Sequence, residues 1–342
     1  MSVRHLDAIR DAVAAAGADA LWVHPAVDFR YLTGLAPIAL ERPTALVIPA
    51  RGEPRVVAPE MLAEELAPLG DVAAWSDGDG PAAAIARVLD GLGRVLVEPD
   101  LPTGVAFALR GARVELDLDP GVLSGLRERK APDEVEALRA AGREADEAMA
   151  WVAGLELDGR TERGLALELE ARFLSRGVRP FDDYVVAAGV HAALPHHASG
   201  DAPVTRPFLT DFGCISGGYH SDITRVHGAD GDAAEAYAIV QAAHDAVIAG
   251  LEPGLPAEAA DRLARDVIEE AGYGERFIHR LGHGVGLEIH EEPYLRPGNP
   301  KPLEVGHVFS VEPGIYVPGS FGVRYENLVH LGADGPELLN AR

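Results

Sequence analysis

Four carboxylates and one histidine stand in this chain at spacings that suit a hydrolytic site with two metal ions. They are Asp211, Asp222, His283, Glu312 and Glu326. Imidazole and carboxylates together form a ligand set for Mn, Co, Zn or Fe. Four negative charges would balance two divalent cations and leave a bridging hydroxide as the nucleophile, because paired metal ions about 3.5–4 Å apart activate water for hydrolysis. The set therefore predicts a metalloenzyme.

The first two carboxylates fall in a predicted β-hairpin. In the segment PFLTDFGCISGGYHSDITRV, apolar runs flank Ser216, Gly217 and Gly218, and small residues and glycines are typical of tight turns. A two-residue turn centred between Ser216 and Gly217 places Asp211 directly opposite Asp222, with their Cβ atoms about 4.5–5.5 Å apart. Two bare carboxylates at this distance repel each other unless a cation or a shared proton compensates, which favours a divalent metal.

The last two carboxylates fall in a second predicted hairpin, VFSVEPGIYVPGSFGVRYENLVHL, which turns around Gly319. This centre places Glu312 opposite Glu326, although Pro313 and Gly314 could introduce a bulge into the first strand. Both hairpins are thus predicted to bring one acid opposite another.

His283 lies between the two hairpins, in HRLGHGVGLEIHEEP. Gly282, Gly284 and Gly286 leave the backbone uncrowded around this histidine, as the close approach of a metal or a substrate requires. The imidazole is therefore predicted to join the carboxylates.

These segments resemble those of a known family. The stretches DFG…YHSDITR, GHGVGLEIHE, VEPGIY and VRYEN resemble the metal-binding motifs of the pita-bread metallopeptidases of the creatinase, aminopeptidase P and prolidase type, in the branch of Xaa-Pro dipeptidase (prolidase) and aminopeptidase P. All five ligand positions match in identity, order and approximate spacing. The resemblance extends to ALPHH around His196, and more weakly to DFRYLTGL and the junction LRERKAPDEVEALR.

The resemblance implies a role for each ligand. Carried over position by position, Asp211 would chelate one metal ion, Asp222 and Glu326 would bridge both, and His283 and Glu312 would hold the other. Glu312 would also carry a proton from the bridging water to the leaving nitrogen, as a general acid and base.

The resemblance also implies residues that contact the substrate. His196, His279 and His290 would donate hydrogen bonds to the peptide carbonyl and to the tetrahedral oxyanion. The alternative for each is a packing or surface histidine. Arg324 lies two residues before Glu326 and on the same strand face, where it would orient that carboxylate or bind a substrate group.

Other residues near these motifs are open to more than one interpretation. His220 lies two positions before Asp222 and could approach the metals or support a ligand, with a structural role as the alternative. Cys214 is predicted to be a small buried apolar residue. Arg296 lies six residues after His290, not at the closer offset expected for the prolidase arginine that binds the free carboxylate, so dipeptides and longer peptides both remain open as substrates.

Helix-like and strand-like stretches alternate in the first part of the chain. Leu6, Ile9 and Val13 share a helical face, and ALWV, TALVIPA, PRVVAP and RVLVEP follow as strands. This alternation predicts an α/β N-terminal domain over residues 1–126, which the resemblance identifies as creatinase-like.

The charged run from Arg127 to Asp133 suits a linker that enters a helix at Pro132, because proline is favoured in the first helical turn. Helical patterns with hairpins between them follow, and they predict an α+β catalytic domain over residues 127–342. The predicted helices cover residues 161–176, 232–249 and 256–271. For this domain the resemblance implies the pita-bread fold.

The composition argues against several partners. A formal net charge of −24 disfavours binding to nucleic acid or an anionic membrane, and no segment is long and apolar enough to span a bilayer. One cysteine excludes an intramolecular disulfide, and charges interrupt the N-terminal region where a signal peptide would be apolar. We therefore expect a cytoplasmic protein, and the resemblance implies a homodimer.

The resemblance implies a dinuclear metal-dependent exopeptidase that hydrolyses Xaa-Pro bonds of short proline-containing peptides. Mn²⁺ is the expected ion, with Co²⁺ or Zn²⁺ as alternatives. One alternative function is a hydrolase of the same fold that acts on another small amide, creatinase-like or ectoine-type. Another is a catalytically silent binding module, against which the five intact ligand positions argue.

Overall fold

The structure is a computed structural model that describes residues 3–181 and 184–341. The chain divides into two units, Met1–Leu126 and Arg127–Arg342. Within the described ranges, no helix has both the length and the apolar composition that crossing a membrane requires.

The first unit is built on a mixed sheet with helices between its strands. Its elements in chain order are α1 (Leu6–Ala15), β1 (Ala20–Val23), α2 (Val27–Thr33), β2 (Ala45–Pro49), β3 (Arg55–Pro59), α3 (Glu60–Leu66), β4 (Asp71–Trp75), α4 (Ala82–Val88), β5 (Arg94–Val97), α5 (Thr103–Gly111), β6 (Glu115–Leu118) and α6 (Val122–Glu128), which ends just beyond the unit.

The sheet of the first unit has the order β4–β3–β2–β1–β5–β6, in which β1 is antiparallel to β2 and parallel to β5. Every residue of β1 is buried, as in a strand that is covered on both faces. Ile9 and Val13 of α1 are also fully buried. The α/β class predicted for this part of the chain is confirmed.

The second unit combines helices with several small sheets, and its predicted α+β class is confirmed. Its elements in chain order are α7 (Pro132–Ala153), α8 (Glu162–Ser175), β7 (Arg179–Pro180), β8 (Val185–Ala188), β9 (Phe208–Phe212), β10 (Cys214–Ser216), β11 (Tyr219–His220), β12 (Ile223–His227), α9 (Gly231–Gly250), α10 (Ala257–Glu270), β13 (Gly282–Gly284), β14 (Glu291–Leu295), β15 (Val308–Val311), β16 (Gly314–Val317), β17 (Phe321–Arg324), β18 (Asn327–Gly332) and β19 (Gly335–Leu338). The sheets have the strand orders β12–β9–β8, β11–β10–β7, β14–β13–β15–β18–β19 and β16–β17.

The long helices of the second unit begin where the sequence predicts. Pro132 is the first residue of α7, and the Glu134 carboxylate accepts a hydrogen bond from the Ala131 amide at 2.7 Å. The Thr161 hydroxyl caps α8 by accepting from the Gly164 amide at 3.1 Å. The helices predicted further along the chain are confirmed to within one residue at each end as α8, α9 and α10.

The register of the first ligand-bearing hairpin differs from the prediction. Gly217 and Gly218 form its turn with φ values of 59° and 94°, the positive values that a type I′ turn needs at both positions. The hairpin centre therefore lies one residue later than predicted, and Asp211 pairs with Thr224 instead of Asp222. Because Thr224 and Asp222 are two positions apart, the two acids are diagonal neighbours, and the prediction of a directly opposed pair is wrong.

The register of the second hairpin is confirmed. The pairs β15–β18 and β16–β17 keep one continuous frame on both sides of Pro313. Glu312 and Glu326 occupy opposed positions within that frame. The proline therefore interrupts the ladder without shifting it.

The glycines around His283 allow strands to pack closely. A Cβ atom on Gly282 would lie 1.9 Å from the Ser310 carbonyl oxygen, and one on Gly284 would lie 2.2 Å from that of Glu292. Both distances are far inside van der Waals contact. The space expected around His283 is therefore filled by neighbouring backbone, which fixes the position of the imidazole.

Gly142 provides a test of how α7 packs. Replacing a glycine inside a helix by alanine normally stabilises the helix by about 1 kcal/mol. Here the new Cβ atom would lie 2.3 Å from the Leu339 carbonyl oxygen, so Gly142→Ala should lower the melting temperature, since overpacking costs about 1–3 kcal/mol. Thermal unfolding followed by circular dichroism measures the effect.

The matched control is Gly104 of α5, where no described atom outside its chain neighbours and its own helix backbone lies within 4 Å of the corresponding Cβ position. Gly104→Ala should leave the melting temperature unchanged or higher. A higher melting temperature for Gly142→Ala would contradict the packing described for α7.

Candidate active site

One cavity in the second unit collects the predicted site residues. Its volume is about 760 Å³. The residues predicted for metal binding, catalysis and substrate binding all line it: Asp211, Asp222, His283, Glu312, Glu326, His196, His290, His279 and Arg324. Phe277, Ile278 and Pro297 add apolar surface. The cavity therefore combines an acidic group with surface that suits an apolar side chain.

Part of the predicted ligand set forms a compact buried group. Asp222, His283 and Glu326 each offer a ligand atom, and these atoms lie within 4.8 Å of one another. The Nε2 atom of His283 lies 3.7 Å from Asp222 Oδ2 and 3.3 Å from Glu312 Oε1, which brings Glu312 to the same group. Asp211 lines the same cavity but lies outside this compact group.

The ring of His283 is oriented for metal binding. Its Nδ1 atom donates to the Gly284 carbonyl oxygen at 3.1 Å, so in the neutral ring the lone pair is on Nε2. Nε2 is also the atom that faces Asp222 and Glu312. A lone pair that faces carboxylate oxygens repels them unless a cation or a proton lies between, so this nitrogen is suited to be a ligand.

Burial and mutual repulsion disfavour the ionised form of two of these carboxylates, Asp222 and Glu326. Burial raises the pKa of Asp222 well above its ordinary value, and the neighbouring Glu326, Asp211 and Glu312 raise it further. Burial likewise raises the pKa of Glu326, and Glu312 and Asp211 add to the shift. Arg324 offsets part of the repulsion at both sites. Divalent cations would offset the rest, and the oxygen and imidazole donors present suit them.

Arg324 contacts Asp211 directly and Glu326 through an intermediary. Its guanidinium donates to Asp211 Oδ2 and, through Nε, to the Thr224 hydroxyl at 3.1 Å. That hydroxyl donates to Glu326 Oε2 at 2.6 Å. Arg324 is therefore linked to Glu326 through Thr224, and its predicted role in orienting that carboxylate stays a prediction.

A directed chain of hydrogen bonds connects His279 to Arg324. His279 Nδ1 donates to the Arg280 carbonyl oxygen at 2.7 Å, so its Nε2 accepts from the Tyr316 hydroxyl at 2.9 Å. The same hydroxyl accepts from Arg324 Nη1 at 2.6 Å. Burial lowers the pKa of His279 and keeps the ring neutral. Both ring nitrogens are thus engaged within the protein, and a contact of His279 with substrate stays a prediction.

Two supporting hydroxyl groups, those of Thr224 and Ser310, were not predicted from the sequence. The Ser310 hydroxyl accepts from the His283 amide at 3.1 Å and donates to Glu312 Oε1 at 3.2 Å. Strand alternation is the signal that could have found them, since Thr224 lies two residues after Asp222 and Ser310 two residues before Glu312.

The two histidines predicted to be catalytic both have exposed side chains. The ring of His290 lies edge-on to that of His283, with centroids 4.1 Å apart. Partial desolvation by the surrounding protein lowers the pKa of His290 to about 4, and His283 and Arg280 contribute to the shift, so the ring is neutral at pH 7. His196 is exposed and lines the cavity from the segment that follows the 3₁₀ turn Gly189–Ala193.

The structure also places His220, Cys214 and Arg296, whose roles the sequence left open. His220 Nδ1 donates to the Gly286 carbonyl oxygen at 3.2 Å, and His220 is not among the described residues that line the cavity. Cys214 is fully buried, as predicted, and burial raises the pKa of its thiol to about 11. Arg296 lines the cavity.

Two buried, positively charged side chains bind the first residue of β14, which directly follows His290. Lys130 Nζ donates to Glu291 Oε1 at 2.7 Å, and Arg127 Nη1 donates to Glu291 Oε2 at 3.0 Å. Lys130, Arg127 and Glu291 are all buried. Removing one partner of a buried ion pair leaves an uncompensated charge, so the position of His290 depends on these contacts.

Comparison with known proteins identifies two family domains in this chain. Residues 136–333 match Metallopeptidase family M24, and residues 5–121 match the Creatinase/Prolidase N-terminal domain. The chain is 38% identical over 354 residues to a probable dipeptidase PepE of Mycobacterium tuberculosis, which covers 98% of this chain and 94% of that protein.

Solved structures show the same fold over the whole chain. A recombinant prolidase from Thermococcus sibiricus matches with a TM-score of 0.93 at 33% identity, covering 99% of this chain and 96% of that one. The dipeptidase PepE from Mycobacterium ulcerans matches with a TM-score of 0.90 at 36% identity, covering 99% and 95%. This chain therefore belongs to metallopeptidase family M24, with a creatinase/prolidase N-terminal domain ahead of its metallopeptidase domain.

Proposed function

We propose that this metallopeptidase is a dinuclear, metal-dependent exopeptidase that hydrolyses Xaa-Pro bonds in short peptides. The observation that carries the proposal is the group of Asp222, Glu312 and Glu326 with His283, in a cavity that Asp211 also lines. Arg324 offsets only part of the repulsion at Asp222 and Glu326. Relatives named dipeptidase PepE and prolidase support the substrate class. A cavity of about 760 Å³ has the size of ordinary small-ligand pockets, which suits a short peptide.

The remaining features of the proposal concern the ion, the assembly and the compartment. We propose Mn²⁺ as the native ion, with Co²⁺ or Zn²⁺ as substitutes, because carboxylates dominate a donor set with one imidazole. A homodimer is proposed because it is usual among the proteins that this chain resembles. The free, buried Cys214 supports a reducing compartment, and hence the cytoplasm.

Asp211, Asp222, His283, Glu312 and Glu326 are proposed to hold two divalent cations. When bound, such cations polarise the peptide carbonyl and lower the pKa of water so that it can attack. The ring of His283 offers its Nε2 lone pair because Nδ1 is bound to a backbone carbonyl. The His283 ring therefore already presents this nitrogen toward Asp222 and Glu312.

Glu312 is proposed as the general base and acid. Its Oε1 atom accepts from the Ser310 hydroxyl at 3.2 Å, which holds the carboxylate at the edge of the ligand group. From there Glu312 takes a proton from the attacking water and gives it to the leaving nitrogen.

His290 and His196 are proposed to bind the reacting carbonyl group. Because the pKa of His290 is lowered to about 4, the ring is a neutral hydrogen-bond donor at pH 7. A neutral donor stabilises the oxyanion of the intermediate without offsetting the acidic charge that holds the metals. His196 approaches the same space from an exposed segment as a second donor.

Product analysis by mass spectrometry tests the proposed reaction. The Mn²⁺-loaded protein is incubated with Ala-Pro, Ala-Pro-Ala and Ala-Ala, with a chelated sample as control. Metal-dependent cleavage of Ala-Pro alone indicates a dipeptidase of the prolidase type. Release of alanine from Ala-Pro-Ala as well indicates an aminopeptidase of the P type. If no peptide is cleaved, the proposal is wrong.

The role of His196 can be separated from metal binding. His196→Ala should lower kcat on the cleaved Xaa-Pro peptide by about 100-fold, the usual effect of removing one oxyanion donor, while bound metal per chain stays unchanged. His330→Ala is the matched control, because His330 is bound to Glu337 at 3.2 Å and does not line the cavity. Loss of metal from His196→Ala would show that its assigned role is incorrect.

The stability of the metal-free protein should depend on pH with a definite sign. Folding raises the pKa of Asp222 and Glu326, so the folded state binds protons that the unfolded state does not. The melting temperature of chelated protein should therefore rise as pH falls from 7 toward about 4, the range of unfolded carboxyl groups. At pH 7, added Mn²⁺ should raise the melting temperature, because bound cations compensate the repulsion among the buried carboxylates.

Asp222→Asn should raise the melting temperature of chelated protein at pH 7 and weaken its response to Mn²⁺. Asp334→Asn, at an exposed position, is the control and should change neither. Differential scanning calorimetry measures both effects. An unchanged melting temperature across a Mn²⁺ titration of verified metal-free protein would count against the charge argument.

A further inference from the structure

A second cluster of titratable side chains lies outside the candidate active site. Glu162, the first residue of α8, is fully buried, and its carboxylate contacts the side chains of His191 and His197. The two imidazole rings stack with centroids 4.5 Å apart. None of these side chains lines the cavity that holds the predicted metal ligands.

Four hydrogen-bond donors converge on the carboxylate of Glu162. Oε1 accepts from the Ala188 amide at 2.9 Å and from His191 Nδ1 at 2.8 Å. Oε2 accepts from His197 Nε2 at 2.8 Å and from the Gly200 amide at 3.2 Å. An ionised carboxylate offers about four acceptor positions, so these donors saturate it. Hydrogen bonds to an ionised acceptor are also stronger than neutral ones.

These four donors all belong to one segment of the chain, residues 188–200. The first and last residues of the segment donate through their backbone amides, and two histidines inside it donate through their rings. Pro195 and His196 of the same segment line the active-site cavity. The buried Glu162 carboxylate therefore holds both ends of the segment that carries His196. It also holds His197, the residue that follows His196.

Apolar burial contributes little to holding this segment. Val190 is 53% exposed and Leu194 is 58% exposed, and His196 is exposed as well. Ala192 and Ala193 are buried, but their side chains are small. Segments with few buried apolar contacts open readily unless polar contacts hold them. Backbone hydrogen bonds also hold the segment, since the Gly189 amide donates to the Pro207 carbonyl oxygen at 3.1 Å and the Arg163 amide donates to the Gly200 carbonyl oxygen at 2.8 Å. The hydrogen bonds to the buried carboxylate add the side-chain constraint on where His196 lies.

We propose that Glu162 is a positioning residue for His196, with His197 as the link between them. The proposal rests on the proposed function, because it takes His196 to act on the bound peptide. Glu162 itself contacts neither substrate nor metal. Its effect on the reaction comes from placing the His196 imidazole at a fixed distance from the reacting carbonyl group.

The charge of Glu162 matters because all four partners are donors. A glutamine at this position would present an amide NH₂ group to two of them. An imidazole can change tautomer and accept from that group, but a backbone amide cannot. Either the Ala188 or the Gly200 amide would then face a donor and lose its acceptor, which is costly for a polar group out of water.

Glu162→Gln in the full-length, Mn²⁺-loaded protein is the first test. We expect kcat on the cleaved Xaa-Pro peptide to fall about 10- to 100-fold, because small misplacements of a catalytic group have effects of this size. KM and bound metal per chain should stay unchanged. Hydrogen exchange measured by mass spectrometry should become faster in residues 188–200, and this readout does not depend on activity.

Glu170→Gln is the matched control. Glu170 lies on the same helix and lines a neighbouring cavity with His196 and His197, but its carboxylate has no hydrogen bond to another residue within the described ranges. This variant should retain the kcat and the exchange rates of the unmodified protein. If Glu162→Gln behaves like Glu170→Gln in both readouts, the proposal is wrong.

Substitutions of His197 keep the proposal testable if Glu162→Gln does not fold. His197→Ala removes one donor and should lower kcat, whereas His197→Gln retains a donor at the position of Nε2 and should restore part of it. Equal kcat for the two variants would contradict the proposed link. A double variant of Glu162→Gln with His197→Ala should lose no more activity than Glu162→Gln alone, since both changes break one network.

Metal analysis tests whether the same side chains bind a metal ion instead. One ligand atom from each of Glu162, His191 and His197 lies within 4.8 Å of the others, a spacing that a metal ion could also use. Bound metal that exceeds the active-site ions and is lost in His191→Ala would overturn the hydrogen-bond role. If the unmodified protein cleaves no Xaa-Pro peptide, the proposed function fails, while the exchange experiment still decides whether Glu162 holds the segment.

Discussion

Like charge concentrated in a buried cavity is the constraint on which the rest of this structure depends. Asp222 and Glu326 are almost completely removed from water, and burial together with neighbouring carboxylates raises the pKa of both. Such a cluster persists only if the backbone holds the acids in place and cations compensate them. The paired strands of the two hairpins supply the first condition. Arg324, bound to Asp211, supplies part of the second.

Two histidines near this charge, His279 and His290, stay neutral. Desolvation by the surrounding protein lowers the pKa of His279 and of His290, and the carbonyl oxygens of Arg280 and Gly284 fix the proton on Nδ1 of His279 and His283. A protonated imidazole would compensate the carboxylates and so reduce their attraction for a divalent cation. Neutral rings at His279 and His290 preserve that attraction, and the bond from His283 Nδ1 to the Gly284 carbonyl oxygen leaves Nε2 of His283 facing the carboxylates.

Sequence patterns predicted the parts of the site that depend on local pairing. Glu312 and Glu326 were placed opposite each other because one symmetric turn fixes their register. The first hairpin was misplaced because two glycines with positive φ form its turn, and Ser216 lies outside it. The contact between Tyr316 and His279 joins residues 37 positions apart, and no spacing rule links them, because the packing of separate elements sets such contacts.

Two hydroxyl groups that are not predicted metal ligands hold carboxylates of the site in place. The Thr224 hydroxyl holds Glu326, and the Ser310 hydroxyl holds Glu312. Neither hydroxyl is a predicted ligand, so both hydrogen bonds can persist whether or not cations are bound. Cation binding would then remove electrostatic repulsion without large movements of the ligands. Because catalysis depends on fixed positions of the reacting groups, a site held in this way meets that requirement before substrate arrives.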